Sequence, residues 1–565
     1  MQTRLFNFFI IAAATILFAS CTKTNTEGRL VPKDASVVVL IDGKSLSAKL
    51  PWAEIKDNPM FKEAYTDSTL PAYIKALMDN PESTGIDTKT GLLLFVQKDS
   101  SGGFIGFEGN IKDAALFKTF NLQSTGKDAA SEKEGINYIN KAPVAVGWNK
   151  EKFVYVFDSP EMRQADELSK RMQNDSIDIP ARMPRDIDAA CKAIFALSEN
   201  NSLAKNEKFT ALMKETGDIR FWINAETFYN SSAMPSALTM LNLEKLYKGS
   251  LTTGTLNFDN GKITMAIKSF AGDELTNLYK KYSGGKINED MLKRMPGKDI
   301  IGAMAINFKP QGLLELIKLL GVDGFVSIGA KEFGFTLDDF IKANKGDIAM
   351  GISDLKIDAD STASKYLLNN DEDIFAPAIP KPQFNFIFSV SIGDKDAFNK
   401  LENAGKKIGG RFMDTAHSPF QYNSNGTYFA ISNTKENADK YLAGTNSNFD
   451  FISKINGQSF GGYLNIQSLM KSLESEASKD SADRIAYDAS VKMWDNILWK
   501  GGDMNGDAMT QSIEINLLDK ITNSLKQLNQ YAAKLSLLYQ QKKQREKEAN
   551  MTFEDFNARP PKEIK

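Results

Sequence analysis

Histidine is nearly absent from this chain of 565 residues. There is one, His417, and there are two cysteines, Cys21 and Cys191. Zinc sites built from several histidines are therefore excluded, and a Ser–His–Asp arrangement would have to use His417 or do without histidine. His417 lies in Asp414-Thr-Ala-His-Ser-Pro-Phe420 and reads as a solvated loop residue. A basic excess is missing too. Lys and Arg number 69 against 71 Asp and Glu, for a formal net charge of -2, so little is available to neutralise a phosphate backbone. Nucleic acid is not expected as a partner. Beyond the N-terminus no apolar run approaches the roughly 20 residues a membrane-spanning helix needs.

Catalytic signatures are equally scarce. No Walker loop, Gly-x-Ser-x-Gly elbow or dinucleotide fingerprint stands in a fitting context. Asp503-Met-Asn505-Gly-Asp507, with Glu514, mimics part of a calcium loop, but Ala508 replaces the sharp-turn glycine and the flanks are strand-like. A plain Asn-Gly hairpin is the better reading there. Trp52, Trp148, Trp222, Trp494 and Trp499 are scattered rather than grouped into a platform. Carboxylates are too abundant for any two to be chosen as an acid–base pair. No catalytic residue, cofactor or metal ligand is assigned.

What the chain does have is an address. Arg4 precedes an apolar run from Leu5 to Phe18, broken by Asn7 and Thr15, and the run ends in Leu17-Phe18-Ala19-Ser20-Cys21. The run is short for a membrane span and fits a secretory signal over residues 1–20. Small Ala19 and Ser20 before Cys21 read as a lipobox, in which the cysteine thiol takes a diacylglyceryl group. Each buried methylene contributes about 0.8 kcal/mol, so two or three acyl chains hold firmly where one holds marginally. Residues 21–29 are polar and small and read as a flexible tether. With Cys21 acylated, Cys191 has no partner for a disulfide, and its apolar neighbours Ala189, Ile194 and Phe195 mark a short packed helix.

The body is duplicated. Val31-Pro-Lys-Asp-Ala-Ser-Val-Val-Val-Leu-Ile-Asp42 is echoed by Met295-Pro-Gly-Lys-Asp-Ile-Ile-Gly-Ala-Met-Ala-Ile-Asn307. Thr90–Val96, Phe107–Phe117, Phe153–Ser159, Gly217–Phe228 and Thr255–Ile267 are echoed in the same order by Lys345–Ile352, Ser389–Phe398, Gly426–Ser432, Phe460–Leu469 and Asn505–Ile515. Repeats at a fixed separation mark a repeated structural unit. Alternating β-branched and aromatic runs predict strands, and Asn260-Gly261, Asn425-Gly426 and Asn505-Gly506 predict hairpin turns. Asp42, Asn224, Asn307 and Asn465 each end a strand before a helix and are expected to cap it, at about 1 kcal/mol apiece. The expected fold is α+β: two tandem copies, 30–285 and 290–530, of a mostly antiparallel sheet with helices on one face.

Two stretches break the symmetry. The second copy spends Asp354–Pro382, acidic and proline-bearing, where the first has Lys98–Gly103; this reads as a long surface loop. Apolar residues at Ile521, Leu525, Leu528, Ala532, Leu535 and Tyr539 predict a long C-terminal helix, whose stripe is lost over Gln540–Glu548, so that 531–565 reads as a projecting helix and tail.

The lipobox, the Val31–Leu46 opening and the duplicated body resemble a family of uncharacterised lipoproteins common in Bacteroidetes-type bacteria and classed as a domain of unknown function. The resemblance implies an envelope location and no established activity, and it carries over one residue, Cys21. Lipoproteins of that type that reach the cell surface carry an acidic cluster directly after the cysteine. Thr22-Lys23-Thr24-Asn25 is not one, which points to the periplasmic face of the outer membrane. The expectation is a non-catalytic binding or scaffold protein, held to the membrane through Cys21, whose ligand is an envelope protein, a glycan or a lipid. The alternatives are a carboxylate-dependent hydrolase of glycans and a carrier of a hydrophobic ligand.

Overall fold

The computed structural model describes residues 28–66, 70–99, 102–159, 185–230, 242–357, 382–412, 420–444, 447–474 and 481–557. The chain forms two compact units. The first comprises Met1–Lys44 and Asn80–Ala233, the second Ser45–Asp79 and Met234–Lys565.

In the first unit the strands are β1 Val37–Asp42, β2 Gly91–Asp99, β3 Gly102–Asn110, β4 Ser131–Lys133, β5 Ile136–Lys141, β6 Val144–Trp148, β7 Lys152–Asp158 and β8 Ile219–Asn224. Every pairing is antiparallel, in the order β8-β1-β2-β3-β7-β6-β5-β4. Alternation decides which side chains are buried. Val38 and Leu40 stand opposite Phe95 and Leu93 on one face, all nearly inaccessible. Gly106 is glycine because a Cβ there would lie 2.1 Å from the Phe95 ring. The other face carries an aromatic core. Helix Ala114–Thr125, capped by the Asp113 carboxylate, presents Phe117 to Phe153 at 5.1 Å and to Trp148 at 5.7 Å between ring centres. The extra stretch around Cys191 is a helix, Ile187–Phe195, and it packs on the side of the sheet away from Phe117. Phe195 meets Tyr138 at 6.1 Å, and Cys191 fits the space left by Gly147. Helix cover is thus two-sided at this end of the sheet.

In the second unit the strands are β9 Leu251–Asp259, β10 Lys262–Phe270, β11 Ile300–Asn307, β12 Asn344–Ile357, β13 Pro382–Ile392, β14 Gln421–Ser424, β15 Tyr428–Ser432, β16 Phe460–Asn465, β17 Trp494–Asn505 and β18 Ala508–Leu517. Again all pairings are antiparallel, in the order β9-β10-β18-β17-β16-β11-β12-β13-β15-β14. The core gathers Met291, Leu292, Met295, Ala303, Ile387 and Tyr441.

The two ladders share one order. β8-β1-β2-β3-β7-β6 is matched strand for strand by β16-β11-β12-β13-β15-β14, and the α+β, antiparallel architecture is repeated. The hairpin β9–β10 departs from its own copy. It follows the first copy in sequence, yet β10 pairs with β18 and extends the sheet of the second. Helices of the stretch between β1 and β2, in Ser45–Asp79, likewise belong to the second unit. The three Asn-Gly turns form as read, with Gly261, Gly426 and Gly506 at φ of 68°, 78° and 63°. Asn224 and Asn465 cap the helices after them, accepting from the Thr227 and Ser468 N–H groups. Asn307 does something else: its carbonyl accepts from the Gly285 N–H and its amide donates to Asp347, while Lys309 heads the next helix. The C-terminal helix is Ser524–Asn557. It starts later than the apolar spacing suggests, because the Asp519 carboxylate accepts from the Ile521 and Thr522 N–H groups and holds those residues in a turn.

Candidate binding cleft

The β9–β10 and β17–β18 hairpins lie side by side, and strand alternation sorts their residues onto two faces. Ile263, Met265 and Ile267 of β10 and Ile513 and Ile515 of β18 share one face. The opposite face is polar. Asn257, Thr264, Glu514 and Leu498 form one cross-strand row; Thr255, Ala266, Ser512 and Lys500 form the next. Helix Asp450–Ile455 ends above this face, and Lys454 and Ile455 close a cleft of about 400 Å³ over Asn257, Thr264, Ala266, Leu498, Lys500, Ser512 and Glu514.

The floor is hydrogen-bonded. The Lys262 ammonium donates to Glu514 Oε2 at 2.9 Å, and the Asn516 amide donates to Oε1 at 3.0 Å. Asn516 also donates to Asn496 Oδ1 at 3.0 Å, and Thr264 Oγ1 donates to Asp259 at 2.9 Å. On the wall, the Lys500 ammonium donates to the Lys454 carbonyl at 3.1 Å. Partial burial works against the charge of Glu514, but hydrogen bonds from Lys262 and Asn516, with the fields of Lys262 and Lys454, outweigh it and hold the carboxyl below its ordinary value. It is an ionised acceptor at neutral pH. A general acid needs the opposite shift, and no other carboxylate lines the cleft among the described residues. The lining mixes amides, hydroxyls and lysines with apolar residues, Met265, Trp499 and Ile513 among them, and the apolar share of its surface is the larger.

The residues singled out from sequence are placed as follows. Cys21, His417 and the acidic stretch 358–381 lie outside the described residues. Cys191 is fully buried, and burial pushes its thiol up to about 12, so it is core and not a nucleophile. The apparent calcium loop is pulled apart: Asp507 bonds to Lys280, and Glu514 to Lys262. Trp148 and Trp222 are buried core. The sequence reading set this motif aside as a hairpin and gave Glu514 no role in a site. Thr264, Ser512 and Lys262 were missed, since nothing in a single strand shows which strand lies beside it.

Among the described residues no helix is long and apolar enough to cross a membrane. No curated protein matches the chain. Among solved structures it is similar to TP0453 in crystal form I, at 13% identity over 44% of this chain and 79% of that one, with a TM-score of 0.23. For crystal form III of TP0453 the values are 14%, 46%, 88% and 0.23. A family model matches residues 28–372, and the chain belongs to that family, described as a domain of unknown function (DUF4836).

Proposed function

We propose that this is an envelope lipoprotein of the kind common in Bacteroidetes-type bacteria, acylated at Cys21 and held at the periplasmic face of the outer membrane. Its body is a non-catalytic binding protein. The cleft over β10 and β18 takes a polar ligand, and a glycan is the class that fits best: hydroxyl and amide partners at Asn257, Thr264 and Ser512, beside the exposed methyl group of Ala266. The observation that carries this reading is the state of Glu514. It is held ionised by its pair with Lys262 and by the Asn516 amide, and has no second carboxylate beside it in the cleft, which disfavours the hydrolase alternative.

The test uses the full chain and a panel of peptidoglycan fragments and bacterial polysaccharides, read by titration calorimetry. Ala266, exposed in the cleft, is replaced by Trp to fill it. Ala266→Trp is expected to remove binding with the melting temperature unchanged. Because the folded-state carboxyl sits below its ordinary value, its pair with Lys262 persists as pH falls from neutral to mildly acidic and is lost only below that range. Binding should be flat across that interval. Release of reducing ends by the wild type, abolished in Glu514→Gln, would overturn the reading in favour of a hydrolase. Binding untouched by Ala266→Trp would remove the cleft from the account.

A further inference from the structure

Helix Asp323–Phe333 buries one of its eleven residues, Ala330. Its large apolar side chains face outward: Phe325 is 71% exposed and Ile328 70%, with Val326 at 37%. Leu313, on the preceding helix Pro310–Leu319, is 37% exposed as well. Phe325 and Ile328 are three residues apart and share a face. A single exposed hydrophobic residue needs no explanation, but a group of large ones on one short helix does. The glycines beside them sharpen the point. A Cβ at Gly324 or Gly329 would meet nothing within 4 Å, so packing does not require glycine at either position. Each weakens the helix by about 1 kcal/mol relative to Ala. Small neighbours leave Phe325 and Ile328 as the projecting groups.

We propose that the first two turns of this helix dock on a lipid bilayer, with Phe325 and Ile328 entering the boundary between headgroups and acyl chains. This rests on the reading of Cys21 as a lipid anchor. Gly28, where the described chain begins, is seven residues after Cys21. Fully extended, that segment reaches about 25 Å. An acylated chain thus stays at the membrane, where a second, weak contact made by the same chain becomes intramolecular. Two apolar side chains bind a bilayer marginally by themselves, and a second signal on an existing anchor makes such binding persist. A second copy of the chain is a poorer occupant. Stable interfaces bury roughly 800 Å² per partner, and four side chains, two of them largely covered already, supply far less. Lys318 pairs with Glu315 at 2.9 Å, and Lys331 is followed in sequence by Glu332, so we take the contact to be apolar and independent of anionic lipid.

The lipidated full chain carrying Ile328→Cys is labelled with an environment-sensitive fluorophore and reconstituted in phosphatidylethanolamine–phosphatidylglycerol vesicles. Cys191 is buried and does not react. Ile521→Cys, at a residue 85% exposed in the turn after β18, is the control. The label at 328 is expected to shift to the blue and to be protected about tenfold from an aqueous quencher, unchanged when phosphatidylglycerol is left out. Phe325→Ser should reduce that protection without changing the melting temperature. Equal responses at 328 and 521, or none at 328, would overturn the docking while leaving the anchor intact. Protection that rises with protein concentration in the absence of lipid would assign the face to a second copy and overturn it as well. The anchor is tested separately: Cys21→Ala retained in the membrane fraction sinks that reading, whatever the label reports.

Discussion

The two hairpins of this duplicated chain end in unequal helices. β10 is followed by Asp273–Tyr282, ten residues, and β18 by Ser524–Asn557, 34 residues. The hairpins differ in regularity: β9 and β10 pair without a register shift, while β17 and β18 shift twice. β10 and β18 pair without a register shift from Lys262 opposite Asn516 to Phe270 opposite Ala508. Each following helix then packs on helices that the other copy inserts after its first strand: the short one on Pro310–Leu319, the long one on Pro59–Tyr65. The long helix is tied down by polar contacts. The Asn58 amide donates to the Asn529 carbonyl at 2.9 Å, and Lys526 reaches Glu54 at 2.6 Å. The short helix buries Leu275 and Thr276 and sets Tyr282 over Gly312. It packs on the first helix of its partner group and leaves Phe325 and Ile328 of the second in the open. The shared strands keep one order, β4 and β5 have no counterpart among the described residues of the second ladder, and the copies differ in the length of their crossing helices and in the polar contacts that hold them.

The exchange depends on β10 pairing with β18, so breaking that pairing should have the largest effect. Thr264 is paired on both sides, with Asn257 and Glu514. Thr264→Pro removes a ladder hydrogen bond and forces the ring against a neighbouring strand, at about 3 kcal/mol or more. Thr252 is on β9, which pairs on one side among the described strands, and Thr252→Pro should cost about 1 kcal/mol. Urea unfolding of the two variants measures the difference. Equal losses would mean that the junction between the copies carries no special share of the stability.

The long helix offers the next contrast. Asn58 is 8% exposed; its carbonyl accepts from the Met60 N–H as a helix cap while its amide reaches Asn529. Asn58→Ala should cost about 1–2 kcal/mol, combining a lost cap with the loss of the donor to the Asn529 side-chain oxygen. Hydrogen exchange should show faster opening over 524–535 and no change over 273–282. Acceleration of both helices together would show that the two crossings are one cooperative unit instead of two.

Much of this was readable from residues and some of it could not be. The Asn-Gly turns, the alternating strands and the order of echoes are local, since each depends on residues within a few positions of one another. That locality suits pairs of consecutive strands such as β2–β3, β6–β7 and β12–β13, but not β8 beside β1 or β7 beside β3. The pairing of Met265 with Ile513 is not local, and neither partner has a feature that selects the other over any further β-branched strand. The cleft is invisible for the same reason. Thr264 and Glu514 meet because β10 left its own copy, and Lys454 arrives from a third segment. Asn307 shows a subtler failure. It has the position of its capping relatives, but Gly285 and Asp347 claim both ends of its side chain.

The smallest expected effect bears on the short cover most directly. Gly324 is in the first turn of Asp323–Phe333, has no positive φ, and has open space where a Cβ would stand. Gly324→Ala restricts the unfolded chain and adds helix propensity without a clash, so it should stabilise the second unit by about 0.5–1 kcal/mol. The same change in a helix covered by a neighbour would push two backbones apart and destabilise. The sign of the shift in the urea midpoint therefore reports whether anything in the isolated protein lies against this face. A gain in stability accompanied by unchanged labelling of Ile328→Cys without vesicles would establish that the face is open before it meets a membrane. A loss would place a covering segment of this chain over it, and the contrast between the two crossing helices would then be one of sequence rather than of exposure.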